Sequence, residues 1–270
     1  MNKETEMDLL TAAHEADLAY KRSFACCEER AWGHLFWNTD NPTYYDANHA
    51  DILNLPPAHT MSAIIAEVIR FYREKGIIPR FYLYQTEKLQ PFIDQLAAAG
   101  FAYEPFDMPV QQWSGTLASV AQHPDIAIER VTDGNYQDAL LVECSIQEFG
   151  GKEVREKAFE TEFAQSAFCH YLLRWRGEPV SVAAIFTHGG HMRVESVATL
   201  EAYRGQGLIG HLLRHIQQEF VRQGGKALWV YPVNQTVEKV YQKYGFHTVG
   251  SLTVGHAYLE GKGIKEIRGE

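Results

Sequence analysis

The sequence predicts an α/β (α+β) fold: a mixed, mostly antiparallel sheet flanked by helices. Three observations lead there. Residues 195–210, E-S-V-A-T-L-E-A-Y-R-G-Q-G-L-I-G, read as a buried strand, a glycine-rich turn and the start of a long helix. The second half of the chain runs strand, helix, helix, three strands in succession, then helix, strand, helix, strand. Antiparallel pairs therefore come first and a crossover follows. The first half echoes the closing part of that order.

Taken in order, residues 7–30 carry helical spacing through Leu9, Leu10, Ala13, Ala16 and Leu18. An aromatic stretch follows, with Trp32, Phe36, Trp37, Tyr44 and Tyr45 as core or, in part, as the lining of a pocket whose aromatic faces suit a cation. It has a turn over residues 38–43 and short strands on either side. Pro56 and Pro57 make a break. Residues 62–75 form a helix. Ser62 can cap it, Ile64, Ile65, Val68, Ile69 and Tyr72 share one face, and Gly76 stops it. Residues 80–85 are a strand and residues 89–99 a second helix, ended by Gly100. A strand runs on to about Val110, and residues 113–125 read as a connection.

The second half opens with a strand over residues 126–131. One helix begins at Asp133 and runs through Leu140, Leu141 and Cys144; another covers residues 153–164. Residues 169–176 and 179–187 are strands joined at Gly177-Glu178 by a short hairpin turn. His188 and His191 flank two glycines in a further turn. The strand over residues 192–200 alternates. Met192, Val194, Ser196, Ala198 and Leu200 point one way; Arg193, Glu195, Val197 and Thr199 point the other. The helix after the glycines buries Leu208, Ile209, Leu212, Leu213, Ile216 and Phe220, and Gly224-Gly225 ends it. A strand over residues 227–231, a helix over 235–244 stopped by Gly245, and one or two strands to about Tyr258 complete the order.

Composition narrows the function classes. With 46% hydrophobic and 22% charged residues, the chain is an ordinary folded protein rather than a disordered one. A net charge of −9 argues against a nucleic-acid partner and mildly favours cationic substrates. Cys26, Cys27, Cys144 and Cys169 make no C-x-x-C pair and read as reduced thiols of a cytoplasmic protein. The first ten residues hold no long apolar run, so neither a signal peptide nor a membrane span is expected. The expected assembly is a monomer or homodimer.

Gly205, Gly207 and Gly210 present bare backbone N–H groups at the positive end of a helix, which suits a phosphate-bearing ligand. No Gly-Lys-Ser/Thr follows, which excludes a Walker-type loop. His211 and His215 lie four apart but on a polar helix face, without an H-E-x-x-H pattern, so no metal is expected.

The run Y-R-G-Q-G-L-I-G-H-L-L, followed by N-Q-T-V-E-K-V-Y-Q-K-Y-G-F, resembles the GNAT superfamily of acyl-CoA-dependent N-acyltransferases. The resemblance covers residues 126 to the C-terminus. The family's pyrophosphate signature, R/Q-x-x-G-x-G/A, is met by Arg204 and Gly207. Ile209 fills the sixth place and Gly210 comes one later. The resemblance implies acetyl-CoA as co-substrate, with its pyrophosphate cradled by Arg204, Gly205, Gln206 and Gly207 and by Leu208, Ile209 and Gly210. It implies that Val197, Ala198 and Thr199 pair with the pantetheine arm as another strand would, and that Asn234 contacts the same arm. Glu195 is the implied base for the amine proton and Tyr241 the implied acid for the leaving thiolate. A backbone N–H of the strand over residues 192–200 would polarise the thioester carbonyl.

The first half looks like a faded copy. R-F-Y-L-Y-Q…F-I-D-Q-L-A-A-A-G-F parallels A-L-W-V-Y-P…E-K-V-Y-Q-K-Y-G-F. Residues 1–113 are therefore expected to form a degenerate GNAT-like unit in tandem with a catalytic N-acetyltransferase domain at 126–270, with 114–125 as linker. Pro56 and Pro57 stand where the glycines do and have no N–H for a phosphate. Leu96 stands where Tyr241 does. The expected reaction is acetyl transfer to the primary amine of a small molecule. The alternatives are a non-catalytic acyl-CoA sensor or scaffold, and acetylation of protein or peptide amines.

Overall fold

The computed structural model describes residues 3–146 and 149–268. The backbone divides into two compact units: Met1–Tyr20 with Pro109–Ser251, and Lys21–Met108 with Leu252–Glu270. This differs from the expected division into 1–113 and 126–270. Two long strands cause the difference, β5 (Ala102–Trp113) and β11 (Phe246–Tyr258). Gln111 and Gln112 of β5 pair with β10 (Ala227–Val230), whereas Val254 to Tyr258 of β11 pair with β4 (Arg80–Tyr84). Each half of the sequence thus receives a strand from the other half. Sequence order cannot show such an exchange, because antiparallel pairing is indifferent to separation along the chain.

The first unit has strand order β11-β5-β10-β9-β8-β7-β6, where β6 is Ile126–Arg130, β7 Phe168–Trp175, β8 Glu178–His188 and β9 His191–Thr199. Strands β6 to β9 form an antiparallel meander, and β10 lies parallel to β9. The two faces carry different helices. Leu172, Val182 and Ala198 pack with Ala139 and Val142 of α4 (Tyr136–Cys144) and Phe159 of α5 (Lys152–Phe163). Tyr171, Leu173, Ala183, Ile185 and Val194 pack with α6 (Leu208–Gln223) through Leu208, Leu212, Leu213 and Ile216. The helix α7 (Gln235–Lys243) adds Tyr241 to that second core. Residues 3–20 of α1 (Lys3–Phe24) also belong to this unit.

The second unit has strand order β1-β2-β3-β4-β11-β5, with β1 Cys26–Arg30, β2 Gly33–Trp37 and β3 His49–Ile52. Here β3 and β4 are parallel, joined through α2 (Met61–Arg73), as β9 and β10 are joined through α6. Then α3 (Gln90–Ala98) precedes β5, as α7 precedes β11; a short α8 (Ile264–Arg268) closes the described chain. Two expectations are corrected. Residues 26–30 continue the helical pattern on paper but form a strand, in register from Cys26 opposite Trp37 to Arg30 opposite Gly33. Cross-strand pairing overrides a weak local preference there. Ser62 does not cap α2, which starts at Met61. Its hydroxyl donates instead to the Gln95 carboxamide oxygen of α3 at 3.4 Å. The apolar face of α2 stands as read, with Ile64, Ile65, Val68 and Tyr72 buried.

Candidate active site

The site begins with one extra residue. Ala184 of β8 faces Glu195, and Val182 faces Ala198, so two steps on β8 match three on β9. Ser196 and Val197 together oppose Ala183, which is a β-bulge, and Ser196 takes the left-handed conformation with φ 50°. The bulge reverses the alternation read from sequence. Paired residues share a face, so Glu195 and Ala198 lie together on the side of α4 and α5. Val197 packs with the α6 core, and the Thr199 hydroxyl lies 2.7 Å from that of Ser181. The expected grouping of Glu195 with Val197 and Thr199 is therefore wrong by one residue, and one residue is enough to exchange faces.

The bulge coincides with the end of a ladder. Strands β9 and β10 pair only from His191–Ala227 to Arg193–Trp229. Past that point β10 ends at Val230, and Pro232 has no N–H to continue the pairing. Residues 194–199 therefore pair with β8 on one side and have no ladder with β10 on the other. Two of the carbonyls there are engaged: that of Ala198 accepts from the Ser181 hydroxyl at 2.6 Å, and that of Thr199 from Arg204 Nε at 3.1 Å.

The chain then passes through a single helical turn, Glu201–Tyr203, into the glycines. Gly205 and Gly207 both have φ 77°, a conformation that glycine adopts without strain. A Cβ at Gly205 would meet nothing within 4 Å, so its surroundings are open. Gly207 is the N-cap of α6, and no side chain caps that 16-residue helix. Its first N–H groups and the positive end of its dipole thus point out of the turn. Leu208 is buried and Ile209 packs on the α6 core, so both contribute backbone rather than side chain at the turn. Gln206 stays exposed, its amide 3.5 Å from the Ala202 carbonyl. Gly210 differs from the other two. Its backbone is helical, and its missing side chain makes room for the ring of Tyr244.

On α7, Asn234 is the N-cap, its carboxamide oxygen accepting from the Val237 N–H at 3.0 Å. The residue expected to hold a ligand thus also holds its own helix. Tyr241 is 5% exposed and packs edge-on against Phe246. Burial raises its hydroxyl pKa well above the usual value, and the charge of Glu195 adds to the shift.

Glu195 sits in a network that reaches from its neighbour Arg193 to α1. Arg193 donates from Nε to Glu195 and from a terminal nitrogen to Asp17 of α1. The same guanidinium lies over the rings of Tyr20 and Tyr231, at 4.3 and 4.2 Å. Tyr231 in turn donates to the Ala13 carbonyl at 2.6 Å. Burial pushes the Glu195 carboxyl up to about 7, against the pull of Arg193. A group with that value exchanges protons at neutral pH. Asp17 carries a signal in sequence, since it stands beside the buried stripe Ala13, Ala16 and Tyr20 of α1.

His211 and His215 line a cleft of about 690 Å³ together with His123 and Arg214. Among the described residues no group of His, Cys, Asp and Glu could hold a metal ion. No helix of the described residues is long and apolar enough to cross a membrane.

Comparisons with known proteins concern the family and the fold. The family model described as Acetyltransferase (GNAT) domain matches residues 131–258. No curated protein matches the chain. Among solved structures, a functionally unknown conserved protein from Staphylococcus epidermidis superposes with a TM-score of 0.69 at 12% identity, covering 87% of this chain and 93% of its own. A GCN5-related N-acetyltransferase from Kribbella flavida gives 0.67 at 17% identity, covering 92% and 94%. Another from Sphaerobacter thermophilus gives 0.56 at 12%, covering 82% and 75%. At such identities these likenesses concern the fold.

Proposed function

Residues 131–258 match the family model described as Acetyltransferase (GNAT) domain, and from that premise we propose that this chain transfers an acetyl group from acetyl-CoA to a primary amine of a small molecule. The observation that carries the reading is the coincidence of two openings. The edge of β9 is released at the Ser196–Val197 bulge. The uncapped N-terminus of α6 follows ten residues after Val197, past the turn Glu201–Tyr203. A ligand with a peptide-like arm and a pyrophosphate needs both, in that order.

In this reading Val197, Ala198 and Thr199 offer the arm a strand edge. The backbone from Gly205 to Ile209 receives the pyrophosphate, and Arg204 stands beside it. Gly210 is left out of the cradle, since its role is explained by Tyr244. Glu195 takes a proton from the incoming ammonium, which frees the nitrogen lone pair. The nitrogen–carbon bond forms, the carbon–sulfur bond breaks, and Tyr241 supplies the proton that the sulfur requires. Tyr241 is restored by the second proton leaving the new amide nitrogen. Its raised pKa keeps the hydroxyl protonated until then.

The parallel units β3–α2–β4 and β9–α6–β10 support reading the second unit as a degenerate copy of the same design. The test of the main reading is release of free thiol from acetyl-CoA by the purified chain with a panel of amines. Release with small amines is expected. Binding of acetyl-CoA without release would instead favour a sensor, and release with peptides alone would favour a protein acetyltransferase.

A further inference from the structure

Arg193 and Glu195 stand two apart on β9, ahead of the bulge, so they share a face of the sheet. Arg193 faces Phe186 of β8, and Phe186 faces Phe168 of β7, which sets three side chains in one row. Helix α1 sits on that row. The ring of Tyr20 lies 5.6 Å from that of Phe186 and 6.1 Å from that of Phe168, and it also covers the Arg193 guanidinium. Ala13, Asp17 and Tyr20 follow one another at helical spacing, and all three are buried. The same face of α1 therefore brings the Asp17 carboxylate onto Arg193 one turn before Tyr20 brings its ring.

Arg193 is thus fixed by several partners at once. Two different nitrogens donate, one to Asp17 and one to Glu195. Tyr231 lies against the same group and is itself tied to α1 through the Ala13 carbonyl. A planar guanidinium with a permanent charge and several donors can serve two carboxylates and two rings together, which an ammonium cannot. The pair has a closed end and an open end. The Asp17 side chain is 6% exposed, and that of Glu195 is 16% exposed.

We infer that Arg193, seated by α1, is the positioning residue for Glu195: it aims the carboxylate and, because Asp17 shares it, leaves that carboxylate basic enough to take a proton from the acceptor. The inference rests on the reading of Glu195 as the base. An arginine devoted to one carboxylate holds it ionised and makes it a weak base. Here Asp17 draws on the same guanidinium and adds a negative charge of its own, and both effects favour a proton on Glu195. Other ionisable groups that act on or with Glu195 are Tyr241 of α7 and Glu162 of α5. Glu162 belongs to a buried group with Arg155, Glu143 of α4 and His170 of β7. Burial pushes the Glu195 carboxyl up to about 7; Arg193 pulls it down, while the charges of Glu162 and Asp17 act with burial.

The experiment follows Glu195 in the full chain by two readouts. One is a carbon-13 NMR titration of its carboxyl, the signal identified by its loss in Glu195→Gln. The other is the acid limb of kcat/KM for acetyl transfer to a small amine. Arg193→Gln is expected to move both midpoints up by about 1–3 pH units. Asp17→Asn is expected to move both down by about one unit. Residues that only anchored α1 would lower stability without moving the midpoints in opposite directions. Asp17→Asn, the milder change, carries the test if Arg193→Gln does not fold. Midpoints that stay at the wild-type value in a folded variant, or that move the same way in both, would overturn the inference and leave Glu195 standing as the base. A wild-type rate without the limb, a limb that Glu195→Gln leaves in place, or no turnover of any amine would overturn the base, and the inference with it.

Discussion

Gly210 and Tyr244 touch: a Cβ on Gly210 would stand 2.4 Å from a ring carbon of Tyr244 and 2.8 Å from its hydroxyl oxygen. The glycine that seemed one place late for the phosphate signature is therefore a packing residue. It lets α6 lie against the end of α7, where Gln217 donates to the Tyr244 carbonyl at 2.8 Å. Gly210→Ala should destabilise the fold by about 1–3 kcal/mol in denaturant unfolding, because the ring must shift within a filled core. Acetyl-CoA affinity of the folded fraction should change less than about threefold. A large loss of affinity without loss of stability would return Gly210 to the cradle.

Gly207 has the opposite role. It has φ 77° and caps α6, the point to which the proposed function assigns the pyrophosphate. Gly207→Glu puts a carboxylate and bulk at that point. Calorimetric titration should show acetyl-CoA affinity reduced beyond detection, with the circular dichroism spectrum of the variant recording that it is folded. Retained affinity would move the binding site elsewhere.

Tyr241→Phe removes one hydroxyl from a well-packed ring. Acetyl-CoA binding should be unchanged, and kcat should fall about a hundredfold, as for the loss of a positioned acid. A kcat within a factor of two of the parent would take Tyr241 out of the chemistry.

The pH dependence follows from Glu195, whose carboxyl is pushed up to about 7 by burial. The base works only when ionised. kcat/KM should therefore rise with pH through about 7 and level off above it, until other groups titrate. Below that point activity falls tenfold per pH unit. Glu195→Gln should lower activity and remove this limb. A wild-type profile flat from pH 5.5 to 8, or a limb that persists in Glu195→Gln, would exclude Glu195 as the base.

The glycine turn and the helix behind it were legible because each depends on neighbours in the chain, and Tyr241 because the resemblance marks it. Positive φ at Gly205 and Gly207 and the apolar stripe of α6 are local requirements. The face of Val197 was misread because a bulge carries no signature in alternating residues: Ser196 has an ordinary side chain at an uncommon φ. Arg155, Glu143 and Glu162 carry no signal of burial in the sequence, since charged residues on α4 and α5 are numerous and only position in the folded chain buries these three.

The sequence by itself determined the order of strands and helices apart from β1, and the phosphate-ready turn. These follow from backbone sterics and from helical and strand periods, which act within about a dozen residues; the candidate acid and base came from the resemblance to the GNAT superfamily. Tertiary structure alone decided three things: the strand exchange of β5 and β11, the parting of β9 from β10, and the joining of Asp17, Arg193 and Glu195 into one network. Each depends on partners far apart in the chain. Charge and hydrogen-bond satisfaction in a buried setting are properties of the enclosed space, which exists only after folding.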